Sequence, residues 1–267
     1  MKKNLPKLKF NPVQGFFPFL KAGLVLIVLV FLWGFALKRQ QMRVVNSIKI
    51  EIENEAENHF VDEETIENAI SVGQNNLVFM RWLDSVSLGK LEKRIENIEF
   101  VKNAEVSMDL NSNIHVHVRL VKPVARIVAG GSEFDRYIGA DGEVLPTSEK
   151  YASKVITVDG PGSRRLSYPG FASDSSARAL LELFRIIEED QFWHAQITHM
   201  FIDQNFQISL STQVGGQEIE FGSPFYAKEK LEKLMAFYEK IVPVQGWNAY
   251  KRVSVKYRNQ IVCQKTS

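Results

Sequence analysis

The side chains most able to do chemistry in this chain are histidines that stand close to one another or to carboxylates. His115 and His117 are two residues apart, and on a β-strand this spacing points both imidazole rings to one face, where they could ligate a metal ion. No third ligand stands at a recognisable spacing, and the two alternate with Ile114, Val116 and Val118, which are typical core residues. We therefore interpret both as surface histidines and predict no metal site.

A second pair, His194 and His199, precedes Asp203, and the chain has many serines. A Ser/His/Asp catalytic group is assembled in space, so sequence spacing alone leaves this possibility open. The chain nevertheless contains no GxSxG elbow, HExxH helix, Walker loop or GxGxxG turn. We predict no catalytic residues and no cofactor.

Acidic residues concentrate over Glu51–Glu64. A calcium-binding EF-hand loop needs a fixed ligand spacing and a central glycine, and this stretch has neither. Its simplest interpretation is a solvated, negatively charged face.

Composition and charge limit the kinds of partner and site that the chain is expected to have. The chain is 45% hydrophobic and 24% charged, which is typical of folded proteins. Its 33 basic and 31 acidic residues give a net charge of +2, so the broad basic field of a nucleic-acid binder is missing. Cys263 is the single cysteine, and it can form neither an intramolecular disulfide nor a CxxC site.

The stretch GFFPFLKAGLVLIVLVFLWGFALKRQ is apolar from Phe16 to Leu37 except for Lys21. At about 1.5 Å of rise per residue, Ala22–Leu37 forms about 24 Å of helix, and the preceding apolar residues extend it across a ~30 Å hydrocarbon core. A cleaved signal peptide is the alternative, but the stretch is long for one and lacks an A-x-A-like site. We predict a transmembrane helix over residues 22–37.

Basic residues flank this segment on both sides, with five lysines before it and Lys38, Arg39 and Arg43 after it. The larger number before it predicts a cytoplasmic tail over residues 1–21 and extracytoplasmic domains after the span. The expected location is the cell (inner) membrane, with a single pass.

Residues 46–122 have the pattern of one small domain. Ile48–Ile52 alternates as a first strand, amphipathic helices follow Asp62 and Ser87, and two alternating runs around Asn111–Asn113 predict a hairpin. The predicted order is β-α-α-β-β.

Residues 123–267 predict a second, strand-rich domain. Tyr137–Leu145 contains an Asp-Gly turn, Asp174–Asp190 predicts a buried helix, and a further helix follows Pro224. Short strands fill the spaces between them. We therefore expect an α+β domain built on an antiparallel sheet.

Near the end of the chain, in VSVKYRNQIVCQ, residues 253–264, apolar and polar side chains alternate, and only Lys265–Ser267 follow. This alternation predicts one closing β-strand. Exposed strand edges are usually blunted by charge or proline, and here Lys256, Arg258 and Lys265 are present without proline. These cations either guard against aggregation or complement an acidic partner segment.

The β-α-α-β-β order resembles the POTRA domain found outside bacterial membranes. With the apolar span and the second domain, the chain resembles the FtsQ/DivIB family of bacterial cell-division proteins. The local matches are short: Tyr137–Val144, Glu218–Gly222 leading into Lys230–Leu234, and Val255–Asn259. The end, Arg258–Ser267, is longer and richer in Arg and Gln than the family pattern.

The resemblance implies a non-enzymatic, membrane-anchored scaffold of the divisome that is concentrated at the septum. It would bind FtsB- and FtsL-type coiled-coil proteins and help to recruit or regulate the septal peptidoglycan synthase, with no small-molecule ligand. In the family, the partner adds a strand to the last strand of the second domain. The residues that we expect to bind the partner are Tyr257, Asn259, Gln260, Ile261, Val262 and Cys263.

For the POTRA-like domain, the resemblance suggests recruitment through Ile48–Ile52 and the loop Gln74–Leu83. The sequence disfavours two other functions. A POTRA-bearing factor for protein export or outer-membrane assembly usually has repeated POTRA modules or a barrel, and the sequence predicts neither. A tethered cell-wall hydrolase would need the catalytic or zinc motifs that the sequence does not contain.

Overall fold

The computed structural model of the chain describes residues 23–24, 26–34, 45–53, 58–71, 87–128, 130 and 135–266. Residues 23–24 and 26–34, within the predicted span, are helical and exposed. Within the described part of the chain, no helix has both the length and the apolar character needed to cross a bilayer. The rest of the predicted span, the tail over residues 1–21 and the loop over residues 74–83 lie outside the described residues.

The first domain has the predicted β-α-α-β-β order. Its elements are β1 (Ser47–Glu53), α1 (Glu63–Ser71), α2 (Leu88–Glu96), β2 (Val101–Met108) and β3 (Asn113–Leu120). The strands lie in the order β1-β3-β2, with β1 parallel and β2 antiparallel to β3. On β3, Ile114, Val116 and Val118 are buried, whereas His115 and His117 are partly exposed on the other face.

The second domain contains a nine-stranded sheet. Its strands are β4 (Pro123–Ile127), β5 (Arg136–Gly139), β6 (Val144–Pro146), β7 (Ile156–Asp159), β8 (Ile197–Ile202), β9 (Ile208–Thr212), β10 (Glu218–Gly222), β11 (Tyr250–Ser254) and β12 (Val262–Lys265). Its helices are α3 (Ser175–Glu189), α4 (Gln191–Gln196), α5 (Ala227–Lys240) and α6 (Val242–Gln245). The strand order is β12-β11-β10-β9-β8-β7-β4-β5-β6.

The prediction of an antiparallel sheet is wrong, because this sheet is mixed. β4 is parallel to β7, β7 to β8, and β10 to β11. Parallel neighbours need a long crossover between them, and helices supply two of these crossovers. α3 and α4 connect β7 to β8, and α5 and α6 connect β10 to β11. The helices were predicted, but their role as crossovers was not.

The two crossovers place their helices in one layer. Both run in the same direction along the sheet, and right-handed crossovers of that kind lie on the same face. α3 and α5 contact each other, and their buried residues, such as Phe184 and Phe237, join sheet residues such as Phe221 in one core. The opposite face of the sheet carries mainly polar side chains.

The two domains share a core at their junction. Only two residues separate β3 from β4, and Tyr137 on β5 is 1% exposed within the core of the first domain. Its ring lies 5.3 Å from that of Phe60, and its hydroxyl accepts a hydrogen bond from the Ser153 backbone N–H at 3.2 Å. An ion pair between Lys102 and Asp141 also joins the domains.

Candidate functional site

The end of the nine-stranded sheet that carries the chain terminus is an exposed strand edge. Among the strands that the structure describes, β12 pairs only with β11, in the register Ser254↔Val262, Val253↔Cys263 and Arg252↔Gln264. The side chain of Val262 is 48% exposed, whereas that of Cys263 is partly buried against the core. Burial raises the pKa of the Cys263 thiol, which keeps it protonated and weakly reactive.

The prediction of one continuous closing strand over residues 253–264 is wrong. β11 ends at Ser254, the chain reverses, and β12 begins at Val262, so the segment forms an antiparallel hairpin. Asn259 lies in the reversal with φ of 60°, a left-handed conformation that asparagine tolerates better than most residues. The sequence signal for this turn is the polar run Arg258-Asn-Gln260, which interrupts the alternation.

The six predicted partner-binding residues therefore share one hairpin without sharing one strand. Val262 and Cys263 lie on β12. Tyr257, Asn259, Gln260 and Ile261 lie in the connection between the strands. The ring of Tyr257 is 46% exposed, and Ile261 packs partly against the core.

One hydrogen bond identifies the backbone groups of β12 that point away from β11. The Thr266 N–H donates to the Ala249 carbonyl at 3.0 Å, so this amide points inward toward β11. Backbone direction alternates along an antiparallel strand. The N–H and C=O groups of Cys263 and Lys265 therefore point outward, away from β11.

Ion pairs fix the strands next to this edge. Arg252 lies 2.9 Å from Glu218 and 3.3 Å from Glu220, and Lys256 lies 3.1 Å from Glu220. The hydrogen bond from Lys256 lowers the pKa of Glu220 and raises that of Lys256, so both stay charged at neutral pH. These contacts hold β10, β11 and the start of the turn in register.

The same part of the chain is strongly basic. Residues 226–266 contain nine Lys and Arg residues but only three acidic residues, Glu229, Glu232 and Glu239. Lys251, Arg258 and Lys265 are exposed on or beside the hairpin. This local excess contrasts with the net charge of +2 for the whole chain, and it suits a partner with negative charge.

Two lysines of α5 near the hairpin were not singled out by the sequence analysis. Lys233 Nζ donates to the backbone carbonyls of Val255 and Tyr257, at 2.8 and 2.6 Å, and thereby holds the start of the turn. Lys230 is 6% exposed. The sequence signal for this burial is that Lys230 precedes Leu231 on an amphipathic helix, which places the lysine next to the apolar stripe.

The candidate catalytic histidines do not come together with Asp203. His194 lies 3.0 Å from Glu188, and His199 lies 3.2 Å from Asp159. Asp203 instead accepts backbone hydrogen bonds from Asn205 and Gln207, both at 2.8 Å, which form the β8–β9 turn.

In the first domain, His115 lies near one carboxylate and His117 near two. His115 lies 3.4 Å from Asp109, whereas His117 lies 3.8 Å from Glu51 and 3.9 Å from Glu53. Across the described ranges, no group of three or more His, Cys, Asp or Glu residues could hold a metal ion.

Comparison with known proteins agrees with this architecture. A POTRA-like domain model matches residues 43–119, and the model described as FtsQ/DivIB, C-terminal related, matches residues 122–264. The search of curated proteins found no match. Since the second match covers more than half of the chain and includes the hairpin with the exposed edge, the chain belongs to the FtsQ/DivIB family of cell-division proteins.

Proposed function

We propose that this protein is a non-enzymatic, membrane-anchored scaffold of the bacterial divisome, and that β12 accepts a strand from an FtsB- or FtsL-type partner. The observation that carries the proposal is the exposed outer side of β12, where the N–H and C=O groups of Cys263 and Lys265 point away from the sheet. A strand added there would satisfy these groups by β-augmentation.

The partner strand is expected to be acidic. Its side chains would lie beside Lys251, Arg258 and Lys265, which are exposed around the hairpin. Attraction between opposite charges speeds encounter and disfavours neutral or basic competitors. The backbone bonds would supply a large part of the affinity, and the charges would select the partner.

The anchor and the first domain would place this edge at the division site. The apolar segment over residues 22–37 would span the cell inner membrane once, with the N-terminus in the cytoplasm. Exposed apolar side chains over residues 26–33, such as Leu29 and Phe31, support a lipid-facing helix. The POTRA-like domain would contribute to recruitment, and the bound partners would recruit or regulate the septal peptidoglycan synthase.

Proline at position 265 tests strand addition directly. Lys265→Pro removes one outward N–H and leaves the inward bonds of Val262 and Gln264 in place, whereas Lys265→Ala removes the same charge and keeps the N–H. We expect Lys265→Pro to abolish co-purification of the FtsB- and FtsL-type proteins from native cells, and Lys265→Ala to weaken it only a few-fold. Equal recovery with both variants would contradict strand addition at β12.

A further inference from the structure

A cavity of about 580 Å³ lies between α5 and the turn that joins β11 to β12. It is lined by Ser223, Tyr226, Glu229, Lys230, Lys233, Lys256, Tyr257, Arg258 and Asn259. Four of these residues are cationic and one is acidic. The cavity is therefore a positively charged recess at the end of the edge strand.

Lys230 is the buried cation of this recess. Its ammonium group donates a hydrogen bond to the Ser223 backbone carbonyl at 2.6 Å and lies 4.9 Å from the centre of the Phe221 ring. Lys230 as a residue is only 6% exposed, so its ammonium group loses much of its hydration, and the Ser223 carbonyl, the Ser223 hydroxyl at 3.5 Å and an aromatic face replace it only in part. A carboxylate would be a much stronger partner.

The surrounding charges leave room for such a partner. Lys233 binds two backbone carbonyls, and Lys256 is paired with Glu220 at 3.1 Å. Among the residues that the structure describes, no salt bridge involves Lys230, Lys233 or Arg258. Glu229 lines the cavity but lies within 4 Å of none of these cations, so the net field inside is positive.

We propose that this cavity binds a carboxylate side chain, Asp or Glu, of the same partner segment that adds to β12. The inference rests on the proposed function, and it goes further by naming a side-chain site and its chemistry. A strand paired with β12 that continues past Val262 reaches the turn, and turn residues such as Tyr257 line the cavity. A polypeptide carboxylate is favoured over a free anion because the cavity is lined by residues 256–259 of the turn that leads directly into β12.

Binding of a carboxylate at this site would be coupled to the uptake of a proton by Lys230. Burial, followed by the nearby charge of Lys233, lowers the pKa of Lys230 to about 8. The other titratable or charged groups that line the cavity are Tyr226, Glu229, Lys233, Lys256, Tyr257 and Arg258. A carboxylate beside Lys230 favours its charged form and raises its pKa, so binding at pH 8 should take up about half a proton, and the affinity should fall about tenfold from pH 7 to pH 9.

The experiment is isothermal titration calorimetry of the full chain in detergent with the purified FtsB-type protein from the same cells. Titrations at pH 8 in two buffers of different ionisation enthalpy give the number of protons taken up. Lys230→Arg keeps the charge at every pH, so it should bind without this uptake and with a flatter pH profile. Lys230→Met should bind at least tenfold more weakly, and Lys240→Met, on the exposed end of the same helix, should behave like the wild type.

The outcomes separate the two proposals. Proton uptake in the wild type that disappears in Lys230→Arg supports the carboxylate site. If the wild type and Lys230→Arg take up equal numbers of protons, or if Lys230→Met binds like the wild type, the cavity proposal is wrong, although strand addition still stands provided that Lys265→Pro abolishes binding. Unchanged binding by Lys265→Pro would overturn strand addition itself. The proton count is measured on the unaltered protein, so a folding defect in a variant does not obscure it.

Discussion

Two edge strands of this protein, β2 of the first domain and β12 of the second, differ in their cover. On β2 of the first domain, the outward N–H of Val106 donates to the Glu92 carboxylate of α2 at 3.0 Å, so the adjacent helix occupies that edge. On β12 of the second domain, the outward groups of Cys263 and Lys265 have no such cover from another element in the described ranges. Proteins usually protect strand edges, so an uncovered edge indicates a binding surface.

The far edge of the nine-stranded sheet sharpens the contrast. β6 is three residues long and includes Pro146, which has no N–H to offer. Its neighbour β5 is fixed to the first domain through Tyr137. The same sheet thus has a short, blocked edge strand, β6, at the domain junction and an open edge strand, β12, near the chain terminus. A partner strand is therefore expected to add at β12 and not at β6.

The largest predicted change in the free energy of unfolding comes from removing the Tyr137 ring at the domain junction. Tyr137→Ala removes a buried ring from the core at the junction, which should lower the free energy of unfolding by about 3–4 kcal/mol. Tyr137→Phe loses only the bond to the Ser153 N–H and should lower it by about 1 kcal/mol. Urea unfolding of both variants measures this. Equal losses would show that the ring does not join the two domains.

A smaller effect is predicted at the open end. The pKa of Lys230 is about 8 in the folded chain and near 10.5 when unfolded, so the unfolded chain binds more protons between these values. The free energy of unfolding should therefore rise with pH through this range, by about 2–3 kcal/mol from pH 7 to pH 10 relative to Lys230→Met. Urea unfolding of the wild type and Lys230→Met across this pH range measures how the free energy of unfolding depends on pH in each. If it changes with pH equally in both proteins, the prediction is wrong.

The smallest effect is predicted on the protected edge of the first domain. Glu92→Ala leaves the Val106 N–H without its acceptor and should lower the free energy of unfolding by about 1 kcal/mol. It should also increase self-association, which sedimentation velocity detects. Glu92→Gln keeps an acceptor oxygen and should resemble the wild type. Self-association of both variants to the same degree would indicate a charge effect.

Local sequence patterns predicted which residues form strands and helices better than they predicted which strands pair with each other. The alternation of Ile114, Val116 and Val118 identified β3, and Asp141-Gly142 identified the β5–β6 turn, because each depends on nearby residues. The parallel pairing of β7 with β8 depends on where a 37-residue crossover returns, which no local pattern states. The insertion of Tyr137 into the other domain is equally non-local.

The candidate site was predicted in part for the same reason. The final strand and its cations were visible in the sequence, but the reversal at Asn259 was hidden by an alternation that resumes after it. Lys230 resembles any lysine on an amphipathic helix until packing buries it. Its depressed pKa is a property of that burial and has no signature in sequence.

The most direct test of the account is residue-resolved amide hydrogen exchange of the full chain, alone and with the FtsB- and FtsL-type partners. Without partners, the amides of Cys263 and Lys265 should exchange quickly, whereas those of Val262 and Gln264, which point to β11, should be protected. Partner binding should slow exchange at Cys263 and Lys265 by at least tenfold, since a new strand would accept their hydrogen bonds. Rapid exchange at both amides in the complex, with protection appearing elsewhere, would contradict strand addition at β12.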